Sequence, residues 1–239
     1  MKAIILAGGK GTRLAPYTTV FPKPMLPVGN KPILEIIIRQ LTHYGINDIT
    51  LCVGYLAELI QAYFQNSQFL PKEAKLSYVR EREPLGTAGP IALVESLKEP
   101  FLVMNGDILT TLDYSKLIDF HNKQSSFLTI GVHKKEVKMD LGIIELSGNN
   151  KVADYIERPT YTYFDSMGIY VCNPEVLQYI KAGVYLDFPT LVKLAIKDGK
   201  TVLGYHHNES HYWLDMGRFG DYQRANEDFE RREQDFLPK

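Results

Sequence analysis

Met1-Lys-Ala-Ile-Ile-Leu-Ala-Gly-Gly-Lys-Gly-Thr-Arg-Leu14 opens the chain and decides how the rest is read. The apolar run Ala3 to Ala7 is long enough for one buried strand. Gly8, Gly9 and Gly11 follow at once. Glycine has no Cβ and accepts positive φ, so its backbone can approach a ligand closely. Successive N–H groups in such a loop form a concavity for anions. Arg13 adds a planar cationic fork suited to phosphate. The stretch therefore reads as a strand that delivers a phosphate-cradling loop. Leu14 stands where the dinucleotide fingerprint needs its last glycine, and nothing fits the P-loop pattern. Glycines alone would suit an ordinary turn. Gly-Gly-x-Gly-Thr-Arg directly after a first strand points to a nucleotide.

Phe21-Pro-Lys-Pro-Met-Leu-Pro27 comes next. Its prolines exclude a helix and predict a stiff, extended segment. Lys23, fixed between two of them near the glycine loop, reads as a positioned phosphate contact.

Ile33, Leu34, Ile37, Ile38 and Leu41 have helical spacing, and Gly45 ends that helix. Strands are expected at Asp48 to Val53 and Leu76 to Val79, with a helix carrying Leu56, Leu59, Ile60, Tyr63 and Phe64 between them. This alternation predicts a mainly parallel sheet with helices on both faces. Glu83-Pro-Leu-Gly-Thr-Ala-Gly-Pro90 is read as opening a helix from Ile91 to Leu97, with Gly86 and Gly89 again allowing close ligand approach. The apolar strand Phe101 to Asn105 runs into Gly106-Asp107. A carboxylate at that end of a central parallel strand sits where open α/β sheets bind ligands, so Asp107 is a candidate metal ligand. A turn aspartate would look the same.

The second half has shorter, more alternating strands: Phe127 to Val132, Leu141 to Leu146, Met167 to Cys172 and Thr201 to Tyr205. Helices are expected at Asp113 to Lys123, Pro174 to Lys181 and Phe188 to Lys197. Asp215, after Trp213-Leu214, is a second carboxylate able to join Asp107. His206, His207 and His211 lack a known zinc spacing and read as solvated loop histidines. Arg218 to Glu233 reads as a charged surface helix. With no Ser/Gly/Pro-rich linker, the 239 residues read as one domain: a nucleotide-binding lobe (1–112), a second lobe (113–217) and a C-terminal helix (218–239).

The formal net charge of −1 speaks against nucleic acid and membrane surfaces as partners. Cys52 and Cys172 lie in separate apolar runs and read as buried, reduced thiols. No apolar segment reaches the roughly 18 residues of a membrane span. The opening strand lacks the features of a secretory signal. The expectation is a soluble, cytoplasmic chain, with a homo-oligomer left open.

Gly8–Leu14, Phe21–Pro27, Pro84–Gly89, Asn105-Gly-Asp107, Ile156-Glu-Arg-Pro159 and Trp213-Leu-Asp-Met-Gly217, in this order, resemble the sugar-1-phosphate nucleotidylyltransferase family over about residues 1 to 228. The resemblance implies a Rossmann-like α/β three-layer sandwich with a mainly parallel mixed sheet and a smaller α+β sugar-binding lobe. It implies an enzyme that makes a nucleoside-diphosphate sugar and pyrophosphate from a nucleoside triphosphate and a sugar 1-phosphate, using Mg²⁺. It puts the nucleotide against Leu6, Ala7, Gly8, Gly9, Gly11 and Thr12, with Arg13 on the β- and γ-phosphates and Lys23 on the α-phosphate. Glu81, Gly86 and Thr87 would meet the base, Asp107 and Asp215 would hold Mg²⁺, and Gly142, Glu157, Arg158 and Gly168 would face the sugar phosphate. Arg158 stands where many members have Lys, and Ser166-Met167 where many have Asn-Ala.

A phosphate monoester has a second pKa of about 6, so the attacking oxygen is already ionised and no general base is required. Bringing two polyanions together instead needs a metal and placed cations. An ionised Glu81 only accepts hydrogen bonds, which suits the adjacent N1–H and N2–H₂ of guanine. The Pro-Leu-Gly-Thr-Ala-Gly-Pro run is also similar to that of mannose-1-phosphate guanylyltransferases, so GTP is favoured over dTTP, UTP and CTP, with a hexose or heptose 1-phosphate. A non-catalytic nucleotide-sugar-binding regulator on the same fold would be expected to lack Arg13, Lys23 or Asp107, and all three are present. A glycosyltransferase would carry Asp-x-Asp, which Asn105-Gly-Asp107 is not.

Overall fold

The computed structural model describes residues 1–65, 67–206 and 211–237. In chain order the strands and helices are β1 (Lys2–Ala7), β2 (Pro27–Val28), β3 (Lys31–Pro32), α1 (Ile33–His43), β4 (Asp48–Val53), α2 (Ala57–Phe64), β5 (Lys75–Arg80), β6 (Phe101–Asn105), β7 (Ile108–Thr110) and α3 (Tyr114–Gln124). They continue as β8 (Leu128–Lys138), β9 (Ile143–Leu146), β10 (Val152–Ile156), β11 (Thr160–Cys172), α4 (Phe188–Lys197), β12 (Val202–Tyr205), β13 (Trp213–Asp215) and α5 (Phe219–Phe236).

Seven strands form one sheet in the order β12-β8-β11-β6-β1-β4-β5. β6, β1, β4 and β5 run parallel, β11 runs antiparallel to both its neighbours, and β12 is parallel to β8. The architecture is thus a mixed α/β fold on a mainly parallel central sheet. Period-2 alternation explains its two cores. Ala3, Ile5 and Ala7 of β1 and Leu102 and Met104 of β6 pack on one face, with residues of α1, α2, α3 and α5. Ile4, Phe101 and Val103 pack on the other, with α4. The chain leaves β1 toward β4 and β5, then returns to place β6 on the other side of β1. That reversal opens a crevice beyond the carboxyl ends of β1 and β6.

Several local expectations are corrected. In place of the α-helix expected from Ile91 to Leu97, Gly89–Leu93 forms a 3-10 helix closed by Ile91 N–H to Ala88 O (3.1 Å) and Val94 N–H to Ile91 O (3.0 Å). Ser96 at φ +62° takes the backbone out of the helical region. Pro174–Tyr179 is also a 3-10 helix. Lys23–Met25 forms one 3-10 turn instead of an extended run. Only Met25 and Leu26 need donate there (2.8 and 3.1 Å), so neither proline obstructs it. β8 and β11 continue beyond the sheet as a two-stranded ribbon.

β9 and β10 form a separate hairpin. Its cross-strand pairs put Ile144, Leu146, Val152 and Tyr155 on one face, all exposed. No residue from 132 to 166 is buried.

α5 is not a pure surface helix. Ala225, Phe229 and Phe236 are buried, and Gln40 Nε2 donates to Thr110 O (2.8 Å) and Phe236 O (2.9 Å). Cys52 and Cys172 are free and buried, and burial pushes both thiols far up. No helix among the described residues is long and apolar enough to cross a membrane.

Phe229→Ala is expected to destabilise the chain by about 3–5 kcal/mol in urea unfolding, because a buried aromatic stacked on Phe236 and packed over Gly29 is lost. His121 is buried, with Nδ1 2.9 Å from Thr129 Oγ1, and burial lowers its pKa. The unfolded chain therefore takes up a proton near pH 6.5 that the folded chain refuses. Stability is full above that pH and falls as the pH drops through it. His121→Gln should flatten the decline measured between pH 7.5 and 5.5.

Candidate active site

The crevice at the strand reversal is a cleft of about 940 Å³. One wall is the loop after β1. Gly8 carbonyl accepts from Tyr55 N–H (3.2 Å), which pins the loop to the turn after β4. A Cβ on Gly8 would collide with the Glu81 carboxylate and force it to move aside. Thr18 Oγ1 donates to Gly11 O (2.8 Å) and fixes the far side of the loop. Arg13 is exposed at the rim, and Gly217 packs beside its guanidinium.

The floor carries the charges. The Lys23 turn buries its side chain beneath the loop, where its ammonium donates to Asp107 Oδ2 and lies 3.6 Å from Asp215 Oδ1. Asp107 arrives at the end of β6. Asp215 arrives on β13, which pairs antiparallel with β7 in the register Asp215↔Ile108. Met216 N–H to Asp107 O (3.2 Å) extends that pairing. Burial and the Asp107 charge raise the Asp215 pKa, against the pull of Lys23 and Arg13. Asp107 Oδ1 and Asp215 Oδ1 are buried with no hydrogen-bond partner. Two hard carboxylate oxygens left without hydrogen bonds, one from each aspartate around Lys23, fit a divalent cation that takes its other ligands from phosphate and water. No group of three or more His, Cys, Asp or Glu is assembled for a metal among the described residues.

The opposite end is built from residues 81–87. Glu81 N–H continues the sheet to Val53 O (2.8 Å), and its Oε2 accepts from Leu85 N–H (3.2 Å). Burial raises its pKa, and the Leu85 N–H partly offsets this. Gly86, at φ +78°, lies against Leu186 O, where a Cβ would stand 2.6 Å away. Ala88 and Gly89 N–H both donate to that same carbonyl (2.8 and 3.0 Å). Thr87 lines the cleft, but its hydroxyl is engaged by Phe188 N–H (2.9 Å) and Asp187 Oδ1 (3.3 Å).

The cleft thus brings together Leu6, Ala7, Gly8, Gly9, Gly11, Thr12, Arg13, Lys23, Glu81, Gly86, Thr87, Asp107 and Asp215. Gly142, Glu157, Arg158 and Gly168 do not line it. Glu157 and Arg158 are exposed and pair with each other (3.4 Å) beyond β10, and Tyr155 covers Gly142. Gly168 is nearest, against the carboxamide of Asn105, which does line the cleft. Sequence reading missed Gly54, Tyr55, Arg82, Asn105 and Tyr185. Gly54 was visible, since it follows an apolar strand as Gly8 does. Tyr185 comes from a distant stretch with no local signal. Of the three loop histidines, His207 lies outside the described residues and His206 is exposed. His211 is partly buried, its ring 5.9 Å from that of His133.

The family model described as nucleotidyl transferase matches residues 2–232. Mannose-1-phosphate guanyltransferase of Yarrowia lipolytica is 32% identical over 230 residues, covering 93% of this chain and 62% of its own length. UTP–glucose-1-phosphate uridylyltransferase of Synechocystis is 31% identical, over 94% of this chain and 62% of its own. The chain thus spans about 62% of the length of these curated relatives. Among solved structures, one described as a glucose-1-phosphate thymidylyltransferase from Bacillus anthracis in complex with sucrose superposes with TM-score 0.73 and 25% identity, covering 95% of this chain and 94% of that one. HddC from Yersinia pseudotuberculosis complexed with GMP-PN gives 0.72 and 26%, covering 95% and 99%. Residues 2–232 hold the glycine loop, Lys23 and both cleft aspartates in a single match, and the chain belongs to the nucleotidyl transferase family.

Proposed function

We propose that the chain transfers a nucleotidyl group from a nucleoside triphosphate to a sugar 1-phosphate, releasing pyrophosphate, with Mg²⁺, GTP and a hexose or heptose 1-phosphate favoured. The observation that carries this reading is the buried Lys23 ammonium between Asp107 and Asp215, directly below the Gly8–Arg13 loop. The names of the relatives support the reaction class and divide over base and sugar.

An ionised oxygen of the sugar phosphate attacks the α-phosphorus. The bond from that phosphorus to the bridging oxygen breaks, and pyrophosphate leaves with the electron pair. Loop N–H groups and Arg13 hold the departing β- and γ-phosphates. Lys23 neutralises charge on the α-phosphate. Bound at Asp107 and Asp215, Mg²⁺ supplies charge neutralisation and alignment of phosphate oxygens. Gly142, Glu157, Arg158 and Gly168 are assigned to the sugar phosphate by resemblance alone.

For the base, an ionised Glu81 accepts from N1–H and N2–H₂ of guanine. A second reading rests on the same residue. Uracil and thymine each offer one N–H, which the Glu81 carboxylate accepts as readily as one of guanine's, and relatives named uridylyl- and thymidylyltransferases support that reading.

A matrix of nucleoside triphosphates against sugar 1-phosphates, scored by pyrophosphate release with Mg²⁺, tests both readings. Release with GTP supports the first. Release with UTP or dTTP alone replaces it with the second, and silence across a broad panel rejects transfer. Asp107→Asn should abolish turnover while circular dichroism stays native, and an active variant would remove Asp107 from the metal site. Gly8→Ala should weaken triphosphate binding at least tenfold by calorimetry, because the new methyl displaces Glu81.

A further inference from the structure

Tyr185 is 61% exposed, yet it is not a free surface ring. It lines the cleft from the segment before α4, about a hundred residues away in sequence from the 81–87 wall. Its hydroxyl donates to Asp187 Oδ2 (2.6 Å). The other oxygen of that carboxylate accepts Thr87 N–H (3.0 Å) and the Thr87 hydroxyl (3.3 Å). Leu186, between them, donates its N–H to Leu85 O (2.9 Å) and takes two N–H groups on its carbonyl. Residues 185–187 therefore run alongside 85–89, laced to them by backbone bonds, with Asp187 as a side-chain bridge.

This lacing fixes where the ring can lie. Tyr185 is bonded to the Gly86–Thr87 end of the cleft. The phosphate-binding cations and the carboxylate pair occupy the other end. A ring tied by its hydroxyl loses little rotamer freedom when a ligand arrives. An exposed aromatic face at the mouth of a cleft is a stacking platform for a planar base. Glu81 and Glu83 on this wall offer only acceptors for base edges, and Tyr185 is the aromatic face beside them.

We propose that Tyr185 stacks on the nucleobase of the bound triphosphate, and that Asp187 is the positioning residue that aims both the ring and the Gly86–Thr87 backbone. This rests on the triphosphate binding proposed above and adds a contact that pairs with any base by its π-face. Base preference is then left to Glu81 and its neighbours, and affinity to the ring.

The test is calorimetric titration of the full chain with Mg²⁺ and GTP, UTP, CTP or dTTP, and separately with inorganic tripolyphosphate, which has no base. Tyr185→Ala should weaken the best-bound nucleotide about tenfold or more and leave tripolyphosphate unchanged. Tyr185→Phe, which keeps the ring, should stay within about threefold of the parent. Asp187→Ala should weaken the nucleotide and spare tripolyphosphate, which general unfolding would not do. Equal nucleotide affinity in Tyr185→Ala and the parent overturns the stacking role while leaving triphosphate binding intact. Equal losses for nucleotide and tripolyphosphate overturn it as well. A parent chain that binds none of the four nucleotides overturns both proposals.

Discussion

Three charged groups share the floor of the cleft: one ammonium and two carboxylates, all partly withdrawn from water. Moving such groups out of water costs several kcal/mol each unless partners compensate. Lys23 serves Asp107 directly and Asp215 at longer range, and one oxygen of each carboxylate is left buried without a hydrogen bond. The cluster is short of positive charge. Everything nearby works to keep these groups together despite that. Lys23 is fixed by its two flanking prolines, Asp107 by the end of a central strand, and Asp215 by the short β7–β13 ladder. A site so held is pre-organised for a cation and for anions carried with it.

The sheet makes this possible. Because β6 returns to the far side of β1, the loops after both strands leave the same edge in diverging directions. The glycine loop takes one wall and Asp107 the floor. β4 and β5, on the other side of β1, contribute Gly54 and Glu81, and Gly8 is small enough to fit among them. The charged floor and the Glu81–Thr87 wall are thus set apart along one crevice by strand order.

What could be read from the sequence follows the range of the interactions concerned. The first strand, its glycine loop and Asp107 were legible because a few consecutive residues define them. Asp215 was legible only as a carboxylate able to meet another. The β7–β13 pairing that brings it in joins stretches about a hundred residues apart. Tyr185 and Asp187 escaped for the same reason. The 3-10 turns at 89–93 and 174–179 begin like helices, and the i→i−3 closure that distinguishes them leaves no apolar period. α5 is different: Ala225, Phe229 and Phe236 share a face at helical spacing, and its many charges obscured that stripe.

The β9–β10 hairpin and the ribbon of β8 and β11 bear on a separate property. From 132 to 166 the chain holds its shape by strand ladders, without a core of its own. Two-stranded units of this kind are only marginally stable in water. Opening this arm exposes little that is not exposed already, so it belongs to the low-energy end of the molecule's local unfolding. The arm can melt and reform while the seven-stranded sheet stays intact. Changes of sequence within it are nearly free of global cost. The arm, which carries Gly142, Glu157 and Arg158 of the residues proposed for the sugar phosphate, can therefore diversify quickly, while the charged floor of the cleft is bound to a rigid frame.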